Sequence, residues 1–371
     1  MPEPGVDNSS IFAQLVNMKP DSATQTFAFR LAQARRMRGL SLRDLSDLLQ
    51  GAVSHNALHK YEKAEMMPDG RVLVALCSAL GQKPDFFFRS PVINLSAIEF
   101  RKKASLKVKE EEAIKEKAAD FFERYLEVEE LLGLAGKFEN PIKEFLVDGP
   151  DDVEAAAQRV RAAWNLGTDP LPSVIALLEE HHLKVFEMDA PDEFEGFSGL
   201  AGDVPVIVLN QHRPADRKRL TTLHELGHLI LKFSDRLNEK ERERLCHAFA
   251  AAMLIPKAAF FEAFGGKRTH STRQELVTIK ERWGISCAAT MMRAAKLGLI
   301  AESSLRRFFT LWNEWGYRKS EPGEWHGQEK ADRFTALVHR AASEGQVTLT
   351  KGAYLAGQSV EEFRSSLQPI P

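Results

Sequence analysis

A mainly helical chain with a small β-sheet (α+β), arranged as an N-terminal helical bundle, a central domain and a C-terminal helical module, is the architecture that the sequence predicts. Three observations predict it. Apolar residues recur at spacings of three and four through most of the 371 residues, the period of helices with one buried face. Two short runs, Lys184 to Glu187 and Val206 to Leu209, have the length and β-branched content of strands. Turn signals then cut the chain into pieces of domain size: a mobile tail over 1–23, a bundle over 24–90, a connector with a long charged helix over 91–140, a central domain over 141–300 and a terminal module over 301–371.

Composition narrows the class. A formal charge of −2 and a pI near 6.6 exclude a generally basic protein, so any nucleic-acid surface must be local. Three widely spaced cysteines, Cys77, Cys246 and Cys287, suit a reducing compartment. No apolar run reaches the length of a membrane span, and no basic stretch leads into an apolar one at the N-terminus. A soluble, cytoplasmic protein with no membrane partner is expected.

From Thr24, Phe27, Leu31 and Ala34 share one helix face, and Gly39 ends that helix. Ser41 caps a second helix carrying Leu42, Leu45, Leu48 and Leu49, and a turn follows at Gly51. Ser54 caps a third, from His55 to Lys63, with Leu58 and Tyr61 facing inward and His55, Asn56, His59 and Lys60 outward. Pro68 and Gly70 precede Val72 to Leu80 and Phe86 to Phe88, which complete a five-helix bundle. Two short helices joined by a glycine turn are the unit whose second helix enters the major groove of DNA. Asn56 suits a bidentate contact with adenine; Lys60, Arg35, Arg36, Arg38 and Arg43 suit phosphates or guanine. Residues 24–104 hold 13 Lys or Arg against 7 Asp or Glu, a local excess of +6. Through Ser54, Leu58, Tyr61-Glu62 and Pro68 the stretch resembles the Xre/Cro-type domain, with Ala64 where glycine is usual. The resemblance implies a double-stranded DNA operator as partner, read through Ser54, His55, Asn56, His59, Lys60 and Arg43.

Phe100-Arg101-Lys102-Lys103 marks the connector. Lys107 to Leu134 then reads as a helix whose Ile114, Ala118, Phe121, Phe122, Tyr125, Val128, Leu131 and Leu132 form one buried face, either a homodimer seam or a surface packed on the central core. Gly136 is expected to end it, and Gly149-Pro150 to mark a boundary. Asp152 to Trp164 and Pro172 to Glu180 read as amphipathic helices, and Pro191 to Gly202 as a glycine-rich loop. His181 and His182, at a helix end, are expected on the surface rather than on a metal.

The centre of the chain is Leu223-His224-Glu225-Leu226-Gly227-His228, an H-E-x-x-H string. On a helix, histidines four apart point from one face, so both imidazoles can reach one metal ion. Glu225, beside the first, can take a proton from water that the metal has acidified to a pKa of roughly 7. Asn210 to Arg219 reads as a polar connection and Leu220 to Leu231 as a helix that is otherwise apolar. Burying two unpaired histidines and a carboxylate there without a metal costs on the order of several kcal/mol, so Zn2+ is the expected cofactor.

A third ligand is expected downstream. Asn238, with Glu241 three residues on, caps a helix that runs to Ile255 and stops at Pro256. Leu245, Ala248, Phe249 and Ala252 share one face; Glu243, His247 and Ala250 share the opposite one. Glu243 is therefore the expected ligand, with His247 beside it or as a rival, and Cys246 a further rival. Thr272 to Trp283 and Cys287 to Leu297, joined by Gly284-Ile285-Ser286, form a second helix-turn-helix-like pair with few base-reading side chains, suited to docking or packing. Trp312, Trp315 and Tyr317 precede a terminal module whose helices include Ala341-Ala342 and Val360 to Leu367.

Val206-Ile207-Val208-Leu209-Asn210, then Arg217 to His228, then Glu243 to Pro256 resemble the ImmA/IrrE metallopeptidases, which often carry a fused helix-turn-helix. The sequence departs from their pattern at Thr222-Leu223, where Leu-Ala is usual, and at His247, where Asn is usual. The resemblance implies a zincin-like domain that cuts a repressor protein or its own helix-turn-helix region, and so relieves repression in stress responses. An extended substrate would add to an exposed strand edge near Val206 to Leu209. Two other classes share these residues: a transcription factor whose zinc is structural or sensory, and an antitoxin-like interaction protein. The intact Glu225 favours catalysis, because a structural site needs no base.

Overall fold

The computed structural model describes residues 23–89, 106–318 and 320–367. The tail and the Phe100-Arg101-Lys102-Lys103 connector lie outside these residues. The observed class is the expected one, mainly helical with small sheets of two and three strands. The described chain forms two compact units that meet in sequence between Glu127 and Val128.

In the first unit, α1 (Ala23–Met37) buries Phe27, Leu31 and Ala34, and Gly39, at φ 65°, turns the chain out of it. The helix α2 (Leu42–Leu48) starts in a capping box in which the Asp44 amide donates to Ser41 Oγ at 3.1 Å and the Ser41 amide to Asp44 Oδ2 at 2.7 Å. After Gly51, Ser54 Oγ accepts from the Ala57 amide at 3.2 Å and opens α3 (His55–Glu62). The bundle closes with α4 (Gly70–Leu80) and α5 (Pro84–Phe88), around Phe27, Leu31, Leu45, Leu58, Leu76, Phe86 and Phe87.

The long helix α6 (Val108–Leu131) begins in the first unit and ends in the second. Its Glu123 pairs with Arg30 at 2.9 Å and with Arg89 at 2.8 Å, and Asp120 pairs with Arg89 at 2.8 Å. Burial raises the Glu123 carboxyl and lowers the Arg30 guanidinium from their ordinary ranges, and each partner opposes that shift in the other. Ile114, Ala118, Phe122, Tyr125 and Val128 of the expected apolar face are buried, whereas Leu131 is exposed. Gly133, at φ 65°, stands past the helix end, three residues before the expected Gly136.

In the second unit, β1 (Leu146–Val147) precedes α7 (Pro150–Ala163), with Pro150 in its first turn. Gly149-Pro150 therefore opens a helix, because proline fixes a helical φ where no amide donor is required. After α8 (Val174–Glu180) come three strands, β2 (Lys184–Met188), β3 (Gly196–Ala201) and β4 (Val204–Asn210). The central β4 runs parallel to β2 and antiparallel to β3, with Phe186 and Phe197 both opposite Val208. Much of the expected glycine-rich loop is thus strand β3. The helix α9 (Ala215–Ile230) starts five residues before the expected Leu220, its first turn following Pro214. A short β5 (Lys232–Phe233) pairs parallel with β1, and α10 (Glu239–Leu254) follows from the Asn238–Glu241 capping box.

The rest is helical: α11 (Lys257–Phe264), α12 (Arg273–Trp283), α13 (Cys287–Lys296), α14 (Glu302–Glu314), α15 (Arg333–Ser343), α16 (Leu349–Ala356) and α17 (Val360–Ser366). The segment between α14 and α15 is held by two carboxylates. Glu321 accepts from the Cys287 and Ala288 amides at 2.7 and 3.0 Å. Glu329 accepts from the Val174 and Ile175 amides at 3.1 and 2.6 Å and pairs with the fully buried Arg219 at 2.7 Å. Each caps a helix N-terminus, where backbone donors lack partners. No single helix among the described residues is long and apolar enough to cross a membrane.

Candidate metal centre

The centre is made where α9 crosses α10. Gly227 allows the approach: a Cβ there would lie 3.3 Å from the Phe249 ring and 3.4 Å from Cys246 Sγ. His224 and His228, one turn apart on α9, bring their Nε2 atoms to 3.0 Å of each other. From α10, Glu243 sets Oε2 3.3 Å from His224 Nε2 and Oε1 3.3 Å from His228 Nε2. The three ligand-type atoms lie within 4.8 Å of one another.

These residues fit a metal on their own geometry. Two imidazole nitrogens face each other, and a carboxylate spans both. One N–H can bridge only one such pair, whereas a divalent cation would satisfy all three lone pairs at once. The side chain of Glu243 is 33% exposed, so the cluster opens toward solvent on that side, as a site with a vacant coordination position requires. His228 Nδ1 lies 3.0 Å from Cys246 Sγ, while His224 Nδ1 is buried without a hydrogen-bond partner. His247 stacks against His224 with ring centroids 4.0 Å apart and lies outside the three-residue group. The surrounding chain, and then His224, push His247 down to about 4, which leaves a neutral ring at pH 7 although it reaches solvent.

Glu225, next to His224 on α9, has a partner of its own. It is 7% exposed, and its Oε2 accepts the Ser198 hydroxyl at 2.8 Å. Ser198 sits on β3, opposite Ile207, and is a residue that the sequence reading missed because it fell in the supposed loop. The signal was present: Gly202-Asp203 stands between two apolar runs, the mark of a two-residue hairpin, and Ala201 does pair with Val204. His181 and His182 serve packing. His181 stacks on Trp164 at 4.2 Å, and a Cβ at Gly136 would overlap the His182 ring.

A separate cleft of about 760 Å3 is lined by Glu187, His212, Lys218, Glu329, Lys330 and Asp332, among others. Lys218 pairs with Glu187 and Lys330 with Asp332, so these charges are balanced within the chain.

In the first unit, Ser54, His55, Asn56, His59 and Lys60 on and before α3, and Arg43 on α2, are all exposed. Three other arginines expected to meet DNA are engaged internally. Arg35 forms a two-pronged pair with Glu62 at 2.6 and 2.9 Å, Arg36 pairs with Glu112 and Glu116 at 3.2 Å, and Arg38 donates to the Ala79 carbonyl. Arg35 is thereby a clamp between α1 and α3 rather than a phosphate contact.

No curated protein matches the chain. Residues 31–87 match the family model described as Helix-turn-helix, and residues 178–295 match that of the IrrE N-terminal-like domain of the M78 peptidases. The chain therefore joins a domain similar to helix-turn-helix DNA-binding domains to one similar to M78 metallopeptidases, the composition of a regulator with a protease-type domain.

Proposed function

We propose that the protein is a DNA-binding transcriptional regulator whose second unit is a zinc-dependent endopeptidase, directed at a repressor protein or at its own helix-turn-helix region. The observation that carries the reading is the convergence of His224, His228 and Glu243 beside a buried Glu225. His224, His228 and Glu243 would hold the metal through their ring nitrogens and carboxylate. Zinc, when bound, supplies a Lewis acid that polarises a peptide carbonyl and acidifies water. Glu225 holds the proton taken from the attacking water and delivers it to the leaving amide nitrogen. Cys246 braces the His228 ring at Nδ1, and His247 supports His224 by stacking. The strand β3, at the edge of its sheet among the described residues, offers main-chain groups to an extended substrate. His55, Asn56, His59, Lys60 and Arg43 face the operator, with Ser54 at the helix start.

Glu225→Gln tests the chemistry. The variant keeps stoichiometric zinc and loses cleavage of nearby-encoded repressors by about 100-fold or more, read as fragments by mass spectrometry. Cleavage at the wild-type rate would remove Glu225 from the mechanism. Zinc in the wild type with no fragments from any candidate would favour a sensory or structural metal.

A further inference from the structure

The Ser198 hydroxyl is the hydrogen bond that ties the edge strand β3 to the candidate base on α9. Both ends are buried, Ser198 at 8% and Glu225 at 7% exposure. A carboxylate in such a place needs a donor, and a base needs one oxygen held still and the other left for water. Ser198 donates to Oε2, and no other side chain among the described residues hydrogen-bonds Glu225, so Oε1 remains for the reaction. Register explains why a serine can do this. In β3, Phe197 faces one way and Ser198 the other, and the antiparallel pairing of Ser198 with Ile207 fixes which side that is.

We propose that Ser198 is a positioning residue for Glu225. It sets the carboxylate rotamer and links the base to the strand edge along which a substrate chain would pair. The inference rests on the peptidase reading of the site. It assigns Ser198 no contact with the metal or the substrate, and it predicts a loss in kcat with KM little changed, because the hydroxyl orients a reacting group without binding the chain being cut.

The test uses the full-length, zinc-loaded protein and acetohydroxamate, a small chelator that carries a hydroxyl able to donate to the Glu225 carboxylate. Its affinity is measured calorimetrically for wild type, Ser198→Ala, Glu225→Ala and the double variant. Losing a donor to a charged carboxylate is expected to weaken binding about tenfold in Ser198→Ala and to have no further effect once Glu225 is alanine. Ser198→Thr keeps the hydroxyl and is expected to restore affinity. Equal losses in both backgrounds, or no loss from Ser198→Ala, would overturn the proposal while leaving the metal centre intact. Wild type that takes up no zinc, or zinc-loaded wild type that ignores the chelator, would overturn the peptidase reading and this inference with it.

Discussion

The chain carries the same pair of residues twice, with opposite outcomes. His55 and His59 stand four apart on α3 in His-Asn-Ala-Leu-His; His224 and His228 stand four apart on α9 in His-Glu-Leu-Gly-His. On α3 both rings are exposed and lie among polar neighbours at the surface. On α9, His224 is buried, Gly227 admits a second helix to contact, and that helix delivers Glu243 to both rings. Spacing on a helix is thus half of a metal site. The other half is a neighbour close enough to supply a third ligand and to take the imidazoles out of competition with water.

The comparison breaks most sharply if the wrong pair binds metal. His224→Ala is expected to lower zinc affinity by more than about 100-fold, since loss of supporting partners alone costs up to that much. His55→Ala combined with His59→Ala is expected to leave one zinc per chain. Metal content after dialysis, measured by atomic emission, reads both. Zinc lost with the α3 pair, and kept in His224→Ala, would place the metal on α3 and reverse the assignment.

The same contrast explains what could be read from the sequence. Helices with one apolar stripe were legible throughout the first bundle, down to Ser41 and Ser54 as caps and to Leu58 and Tyr61 facing inward, because local periodicity and capping chemistry decide them. In the second unit the H-E-x-x-H helix and the Asn238 capping box were equally plain. Strand β3 was not. Gly196 and Gly199 lower its strand signal, yet a Cβ at Gly196 would lie 2.8 Å from the Val208 carbonyl, so close backbone packing requires a glycine there. The helix α14 was missed as well, although Leu305, Phe308 and Trp312 recur along it at spacings of three and four. Long-range ion pairs were beyond local reading altogether. Nothing in the sequence around Arg35 marks Glu62 as its partner, or around Arg219 marks Glu329, since each pair is brought together by the fold.

A smaller effect separates residues that read DNA from those that brace the reader. If α3 lies in the major groove, Asn56→Ala is expected to cost about 1–3 kcal/mol of discrimination at one base pair. Lys60→Ala is expected to weaken all sequences alike and reduce the salt dependence by about one counterion. Arg35→Ala is expected to act differently again, lowering the stability of the bundle through loss of the Glu62 pair while leaving the salt dependence unchanged. Titrations of operator DNA at several salt concentrations distinguish the three. A salt slope that falls with Arg35→Ala would show that the clamp opens to meet phosphate.

The smallest effect concerns the turn that ends α3. Ala64 adopts φ 57°, a left-handed conformation, where Gly39 and Gly81 end α1 and α4 at φ 65° and 66°. The turn is otherwise well made, with the Ala64 amide donating to the Tyr61 carbonyl at 3.1 Å and the Glu65 amide to that of Lys60 at 3.0 Å. An alanine held there costs about 1–2 kcal/mol in the folded state, and glycine returns about 0.4–1 kcal/mol of that through the freer unfolded chain. Ala64→Gly is therefore expected to stabilise the bundle by about 0.5–1 kcal/mol and to slow amide exchange in α3 about two- to fivefold. Operator affinity should not change, since the side chains of Asn56 and Lys60 keep their places. Faster exchange in the variant would mean that the unfolded-chain entropy outweighs the relieved strain at this turn.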